Sequence, residues 1–297
     1  MTAAAWIRRN ARSLDGKTIA VSGATGGLGN ALCRHLAALG ANLILLDRNS
    51  EKSHTLMAQL RTEYPDLQAE HIRLDLEDAQ MVCAVAEQLE NRSIDALILN
   101  AGAYHIPRHV CTTGYNNVFQ INFVSPYYLA RRLLPSLQAR GGRVVAVGSI
   151  AHRYSKTDAA DVDFSTRQAS SKVYGNAKRH LMFALYGLCG DSGVAITHPG
   201  ITFTNITAHY PKLIFALIKH PMKVLFMSPK RASLSILRGL FADCGENEWI
   251  GPRVFDVWGL PKTSRLHSVS SEEAAHIRAV ADKAYTEMNT QNSTADA

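Results

Sequence analysis

Short runs of β-branched and leucine side chains alternate along the chain with longer amphipathic stretches. The runs Lys17–Ser22, Asn42–Leu46, Ala69–Leu74, Ile94–Asn100, Arg143–Ser149 and Val194–His198 read as strands. Between them, apolar residues recur with helical period near 28–40, 51–63, 77–90, 113–139 and 170–190. Strand, helix, strand repeated in this way predicts parallel pairing through right-handed crossovers, with helices on both faces. The runs IDALILN and RVVAVGS are apolar throughout rather than alternating, as strands covered on both sides require. The pattern therefore predicts an α/β fold, a doubly wound parallel sheet in one domain over 15–289. An extension covers 1–14 and a disordered tail is expected over 290–297. Late in the chain it predicts an apolar, basic insertion over about 203–228, a helix near 230–243, a last short strand at Val254–Val257 and a helix near 271–288.

The first strand leads directly into Ser22-Gly23-Ala24-Thr25-Gly26-Gly27-Leu28-Gly29, where a helix opens. Glycines let backbone approach a pyrophosphate closely, and a helix N-terminus offers free N–H groups with a favourable dipole. The spacing differs from the common G-x-G-x-x-G fingerprint. Asp47, ending the second strand, is placed to accept hydrogen bonds from adenosine ribose hydroxyls and to repel a 2′-phosphate; Arg48 beside it could instead clamp that phosphate. NAD is favoured over NADP on this ground, and both stay open. Asp75 and Leu76 follow the third strand, with Asp75 within reach of an adenine amine.

Three further segments carry polar or small residues at strand ends, the edge where open α/β sheets bind ligands. The fourth strand closes on Asn100-Ala101-Gly102, and the fifth on Ser149. The sixth runs into Pro199-Gly200, with Thr202 and Thr204 just beyond. Between the fifth and sixth, a helical stretch holds Tyr174 and Lys178, four residues apart and so on one face. A phenol titrates near about 10, and a neighbouring ammonium would lower that value into a range useful for proton transfer.

These motifs, SGATGGLG at 22–29, LNAG at 99–102, Ser149, YGNAK at 174–178 and HPG at 198–200, occur in an order that resembles the short-chain dehydrogenase/reductase superfamily over nearly the whole chain. The resemblance implies a Rossmann-type fold and hydride transfer between a nicotinamide and a carbonyl or alcohol. It implies Tyr174 as acid/base, Ser149 as the group holding the reacting oxygen, and Lys178 as a ligand of the nicotinamide ribose. Asn122 would anchor a water in a proton relay, Thr204 would touch the carboxamide, and the protein would form a homodimer or homotetramer. The long separation of Ser149 from Tyr174, with TTGYNNVFQINF and LFMSPKRAS, looks like the retinol dehydrogenase and WW-domain oxidoreductase-like branch. That branch usually carries Cys-Arg after the second strand and prefers NADP, so Asp47-Arg48 departs from it.

Composition adds limits. Among 297 residues, 46% are hydrophobic and 19% charged, so a large core is affordable. The net charge of +7 suits phosphates, anionic substrates or a membrane surface. Its lysines and arginines are scattered, so no nucleic-acid partner is expected. Five cysteines, Cys33, Cys83, Cys111, Cys189 and Cys244, form no CxxC pair, and a reducing compartment with no disulfide or zinc is expected. His105, His152 and His198 fall near the motifs, where loop packing rather than metal binding is expected. No stretch reaches the about 20 apolar residues of a membrane span, so a cytoplasmic protein is expected. The apolar and lysine-rich segment 210–228 reads as the lid over a lipophilic substrate, with possible contact to a membrane, or alternatively as plain core packing. Two alternatives to a dehydrogenase or ketoreductase remain: an epimerase or dehydratase, and a catalytically silent cofactor sensor or scaffold.

Overall fold

The computed structural model describes residues 1–189, 193–202, 227–242, 245, 247–267 and 269–293. Six strands follow the apolar runs: β1 Thr18–Ser22, β2 Asn42–Asp47, β3 Ala69–Arg73, β4 Ala96–Leu99, β5 Arg143–Val147 and β6 Val194–Thr197. With β7 Glu248–Val254 and β8 Trp258–Arg265 they form one eight-stranded sheet, in the order β3-β2-β1-β4-β5-β6-β7-β8. All pairings are parallel except the last, β7 with β8. The order reverses between β1 and β4, which opens a crevice at the carboxyl ends of these two strands.

Helices cover both faces: α1 Ala3–Asn10, α2 Gly27–Ala38, α3 Ser50–Glu63, α4 Ala79–Glu90, α5 Asn117–Phe119, α6 Ser125–Ala139, α7 Ser170–Cys189, α8 Pro229–Gly239 and α9 Ser271–Ser293. Successive strand residues point to opposite faces, so each central strand feeds two cores. Ile44, Leu46, Leu97, Leu99, Val144 and Ala146 pack toward α4, α6, α7 and α9. Leu43, Leu45, Ile98, Val145 and Val147 pack toward α1, α2, α3 and α8. Both faces of the sheet are therefore dry, which explains why these strands are apolar without alternation.

Two expectations change. The segment 254–257 is not a separate strand, for only Val254 of it lies in one, at the end of β7. It is the turn of an antiparallel hairpin between β7 and β8, which Gly251, Pro252, Gly259 and Pro261 had hidden by interrupting both apolar patterns. The stretch 113–139 is not one regular helix; α5 leads into a π-helical turn, Gln120–Val124, before α6 begins. The N-terminal extension contains α1, whose Trp6 is buried in the second core. At the other end, α9 runs to Ser293. Of the expected lid, Met227 and Ser228 are described, and 203–226, with Thr204, lies outside the described residues. Among the described residues no helix is long and apolar enough to cross a membrane.

Candidate active site

The crevice is assembled from strand ends. Gly23 turns the chain out of β1 with φ +66°, a backbone conformation open to glycine at little cost. Ser22 Oγ donates to the Ile98 carbonyl at 3.3 Å and accepts from the amides of Asn100 at 3.0 Å and Ala101 at 3.1 Å. Asn100 Nδ2 returns hydrogen bonds to the carbonyls of Ser22 and Gly23, both at 3.0 Å. These bonds lock the glycine turn to the end of β4. Gly26 is the N-cap of α2, and Gly27, Leu28 and Gly29 form its first turn. Their amides precede any intrahelical acceptor and face the crevice as an anion-binding set.

Asp47 is buried at the end of β2. Its Oδ1 accepts from Thr25 Oγ1 at 2.9 Å and from the Thr25 amide at 3.3 Å, and Ser53 Oγ approaches Oδ2 at 3.5 Å. Burial raises the Asp47 carboxyl above its ordinary value, against the pull of those hydrogen bonds. Asp47 thus braces the glycine loop from behind, a role that strand-end spacing did not reveal. Arg48 is exposed on the rim. Asp75 Oδ1 accepts from the Glu77 amide at 3.1 Å, and the Leu76 carbonyl accepts from Ser125 Oγ at 2.7 Å, tying this loop to α6.

Asn122 lies in the π turn, a helix irregularity frequent at functional sites. Its Oδ1 accepts from the Ala103 amide at 3.2 Å, while Nδ2 donates to the Ala103 carbonyl at 2.7 Å and to the Val118 carbonyl at 2.8 Å. The side chain satisfies a carbonyl of its own distorted helix and grips the loop just beyond Gly102. A Cβ at Gly102 would lie 2.8 Å from Asn122 Oδ1 and 3.6 Å from Lys178 Nζ, so these three residues surround one small space.

Ser149 caps the 3₁₀ turn Ile150–Tyr154 that follows β5, its Oγ accepting from the Ala151 amide at 3.2 Å. Helix α7 packs tightly on that turn. Beside Tyr174, a Cβ at Gly175 would come 2.3 Å from the Ala151 carbonyl oxygen, so a bare backbone lets α7 close on the Ser149 segment. Tyr174 is thereby close enough to Ser149 for the serine to pull on its phenol. Burial nevertheless pushes the Tyr174 phenol up to about 12, with Ser149 pulling the other way and Tyr104 adding to the rise. This runs opposite to the expectation that the neighbouring ammonium lowers it. Lys178 Nζ donates to the Val147 carbonyl at 2.8 Å, and burial lowers Lys178 itself to about 8.

Tyr104 was missed in the sequence. Its ring meets Tyr174 edge-on with centroids 5.3 Å apart, walling the site. No short-range signal marks it, because a long loop carries it there. Pro199 and Gly200 follow β6, and the Ile201 amide donates to the Val257 carbonyl at 3.3 Å, so the hairpin turn supports this loop; Thr202 bridges to Met227. His198 stacks on Trp249 with centroids 5.0 Å apart, and His152 meets the same indole edge-on at 5.5 Å. Burial lowers His152 to about 4 and His198 to about 3, so both rings are neutral near pH 7. His105 Nδ1 lies 2.9 Å from Ser170 Oγ.

The family model described as short chain dehydrogenase matches residues 17–208. Retinol dehydrogenase 12 from Mus musculus is 30% identical over 202 residues, covering 65% of this chain and 64% of its own length. The aligned region thus spans less than two thirds of that curated relative. An uncharacterized protein from Mycobacterium paratuberculosis has the same fold across 97% of both chains, with TM-score 0.73 and 23% identity. A short-chain dehydrogenase from Sphingobium yanoikuyae, solved in complex with NADPH, superimposes over 75% of this chain and 83% of its own, with TM-score 0.58 and 24% identity.

Proposed function

Because this chain belongs to the short-chain dehydrogenase family, in a branch similar to the retinol dehydrogenases, we propose that it interconverts a lipophilic carbonyl compound and its alcohol with NAD or NADP, using Tyr174 as proton donor and acceptor. The observation that carries this reading is the convergence of three groups at the carboxyl edge of the sheet: Lys178 held on the Val147 carbonyl, Tyr174 one helical turn before it, and Ser149 on the segment against which Gly175 lets α7 close.

The crevice fits a dinucleotide. The glycine turn presents the first-turn amides of α2, Asn100 Oδ1 is buried without a protein partner, and the space beside Gly102 is faced by Lys178 and Asn122. The nicotinamide, when bound, supplies or accepts the hydride. Every other part falls to the protein. Ser149 Oγ holds the substrate oxygen against Tyr174 and stabilises the charge that develops there. The phenol is protonated near pH 7, the form that delivers a proton to a carbonyl oxygen. Lys178 serves ribose hydroxyls on one side and the tyrosine on the other, and Asn122 keeps the backbone at Ala103 in place behind it. Asp47 and Arg48 set the preference between NAD and NADP, with NAD favoured by the carboxylate. The segment 210–228 would close over the apolar part of the substrate.

The test is absorbance in the nicotinamide band with pure protein, both reduced cofactors, and panels of ketones and aldehydes graded in chain length. We expect carbonyl-dependent cofactor oxidation that strengthens with apolar length. Tight cofactor binding with no turnover across the panel, in either direction, would replace this reading with that of a silent cofactor-binding protein.

A further inference from the structure

The turn between β7 and β8 has a composition and a shape that its role in the sheet does not require. The Val257 amide donates to the Val254 carbonyl at 2.9 Å, closing a two-residue turn over Phe255 and Asp256. Both central residues have positive φ, +50° and +58°. That is the mirror-image turn that suits a hairpin's twist, and chains normally build it from Asn-Gly or Asp-Gly, because a Cβ in this conformation crowds the following carbonyl. Here a phenylalanine occupies the first of the two positions. Non-glycine residues persist in such conformations where their surroundings hold them, and such strain collects at functional sites. The Arg153 guanidinium, 2.9 Å from Asp256, pins the turn to the segment following Ser149.

The result is an aromatic tip. Phe255 is 90% exposed, flanked by Val254 at 39% and Trp258 at 43%, with Ile201 and Tyr154 also exposed on the loops that reach the same edge. Arg231 lies over the Trp258 ring at 4.6 Å, Arg253 is exposed on the rising strand, and Arg153 stands at the base. Three guanidiniums therefore surround the tip against the carboxylate of Asp256. Because β7 runs parallel to β6, its end lies at the carboxyl edge of the sheet, next to the loop that begins at His198.

We propose that this hairpin tip docks on an anionic lipid bilayer. A narrow protrusion bearing one almost fully exposed phenylalanine fits insertion among acyl chains, whereas a flat protein interface would bury a broader face. A half-exposed tryptophan beneath it matches the headgroup level, and guanidiniums around it complement anionic headgroups. The tip would set the crevice mouth against the membrane surface. The proposal does not depend on the reaction assigned above.

Full-length protein mixed with vesicles of equal parts phosphatidylcholine and phosphatidylserine should co-sediment with them, less so in high salt and less with phosphatidylcholine alone. Trp6 and Trp249 are buried while Trp258 is not, so a blue shift of tryptophan emission on the anionic vesicles would report the tip directly. Phe255→Asn should lower vesicle affinity by about tenfold or more, yet keep or raise the Tm, because asparagine takes positive φ more readily than phenylalanine. The proposal is overturned if the parent stays in solution with both vesicle types or if Phe255→Asn binds as the parent does. It is also overturned if the tip proves to join two copies of the chain, with Phe255→Asn converting a dimer to a monomer in vesicle-free sedimentation.

Discussion

Lys178 and Tyr174 are one helical turn apart in α7, yet the ammonium nitrogen lies 5.8 Å from the tyrosine ring centroid and donates instead to the Val147 carbonyl. The lysine is thus anchored across the crevice to the end of β5, and its charge is buried. Holding a charge there costs stability, and the cost depends on pH. Folding lowers the lysine to about 8, while an unfolded lysine titrates near about 10.4. The unfolded chain binds more protons between these two values, so this group's contribution becomes more favourable as pH rises through them, and its penalty is full below the lower one. Lys178→Met should therefore raise the Tm near neutral pH while abolishing turnover, and the gain should shrink from about pH 8 to about pH 10. Thermal melts of the two proteins across that range check the sign. A gain independent of pH would show that the buried charge is not its source.

Removing the phenol tests the chemistry. Tyr174→Phe should lower kcat by about 10²- to 10⁴-fold, with cofactor affinity nearly unchanged, since the ring and its contact with Tyr104 remain. Steady-state rates with a fluorescence titration of the reduced cofactor separate the two effects. Activity within about tenfold of the parent would remove Tyr174 from the mechanism.

Asp47 and Arg48 should divide cofactor recognition between them. Asp47→Ala removes both the carboxylate proposed to take the ribose hydroxyls and the acceptor that holds Thr25 in the glycine loop. It should weaken both cofactors, NAD more than NADP. Arg48→Ala, on the exposed rim, should weaken NADP and leave NAD nearly untouched. Titration of both variants with both cofactors gives the ratio, and a ratio unchanged by either substitution would place the selection elsewhere.

Two glycines of α7 should respond in opposite directions to the same change. Gly175→Ala forces a methyl to within 2.3 Å of the Ala151 carbonyl oxygen, which should destabilise by about 1–3 kcal/mol and part Ser149 from Tyr174, lowering kcat. Gly187 has open space where its Cβ would be, so Gly187→Ala should stabilise by about 0.5–1 kcal/mol through helix propensity alone. Chemical denaturation of both variants, with rates for each, tests the pair.

Much of this site could be read before any coordinates. The glycine cluster after β1, Ser149 at the end of β5, and Tyr174 with Lys178 on one helical face are local features, each fixed by a few neighbouring residues. What the sequence hid depends on contacts between distant segments. Asn122 does not merely sit in a helix: it bonds Ala103 across a loop, and the helix departs from regular geometry around it. Tyr104 reaches the site on a loop without periodicity, and Trp6 stands in the N-terminal extension with nothing local to show that it joins the second core.

The sequence by itself determined which segments become the central strands, because each must be apolar on both faces and that demand is written residue by residue. It also marked Ser149, Tyr174 and Lys178 as candidates for the crevice, because strand ends and helical faces follow from chain periodicity. Only the tertiary structure decided how those groups behave. Burial, not the spacing of Tyr174 and Lys178, sets their proton affinities, and the packing of Gly175 on Ala151 brings Ser149 within reach. The closing hairpin was likewise decided by pairing, since β7 and β8 satisfy each other's backbone through residues, Pro252 and Pro261 among them, whose local preferences argue against a strand.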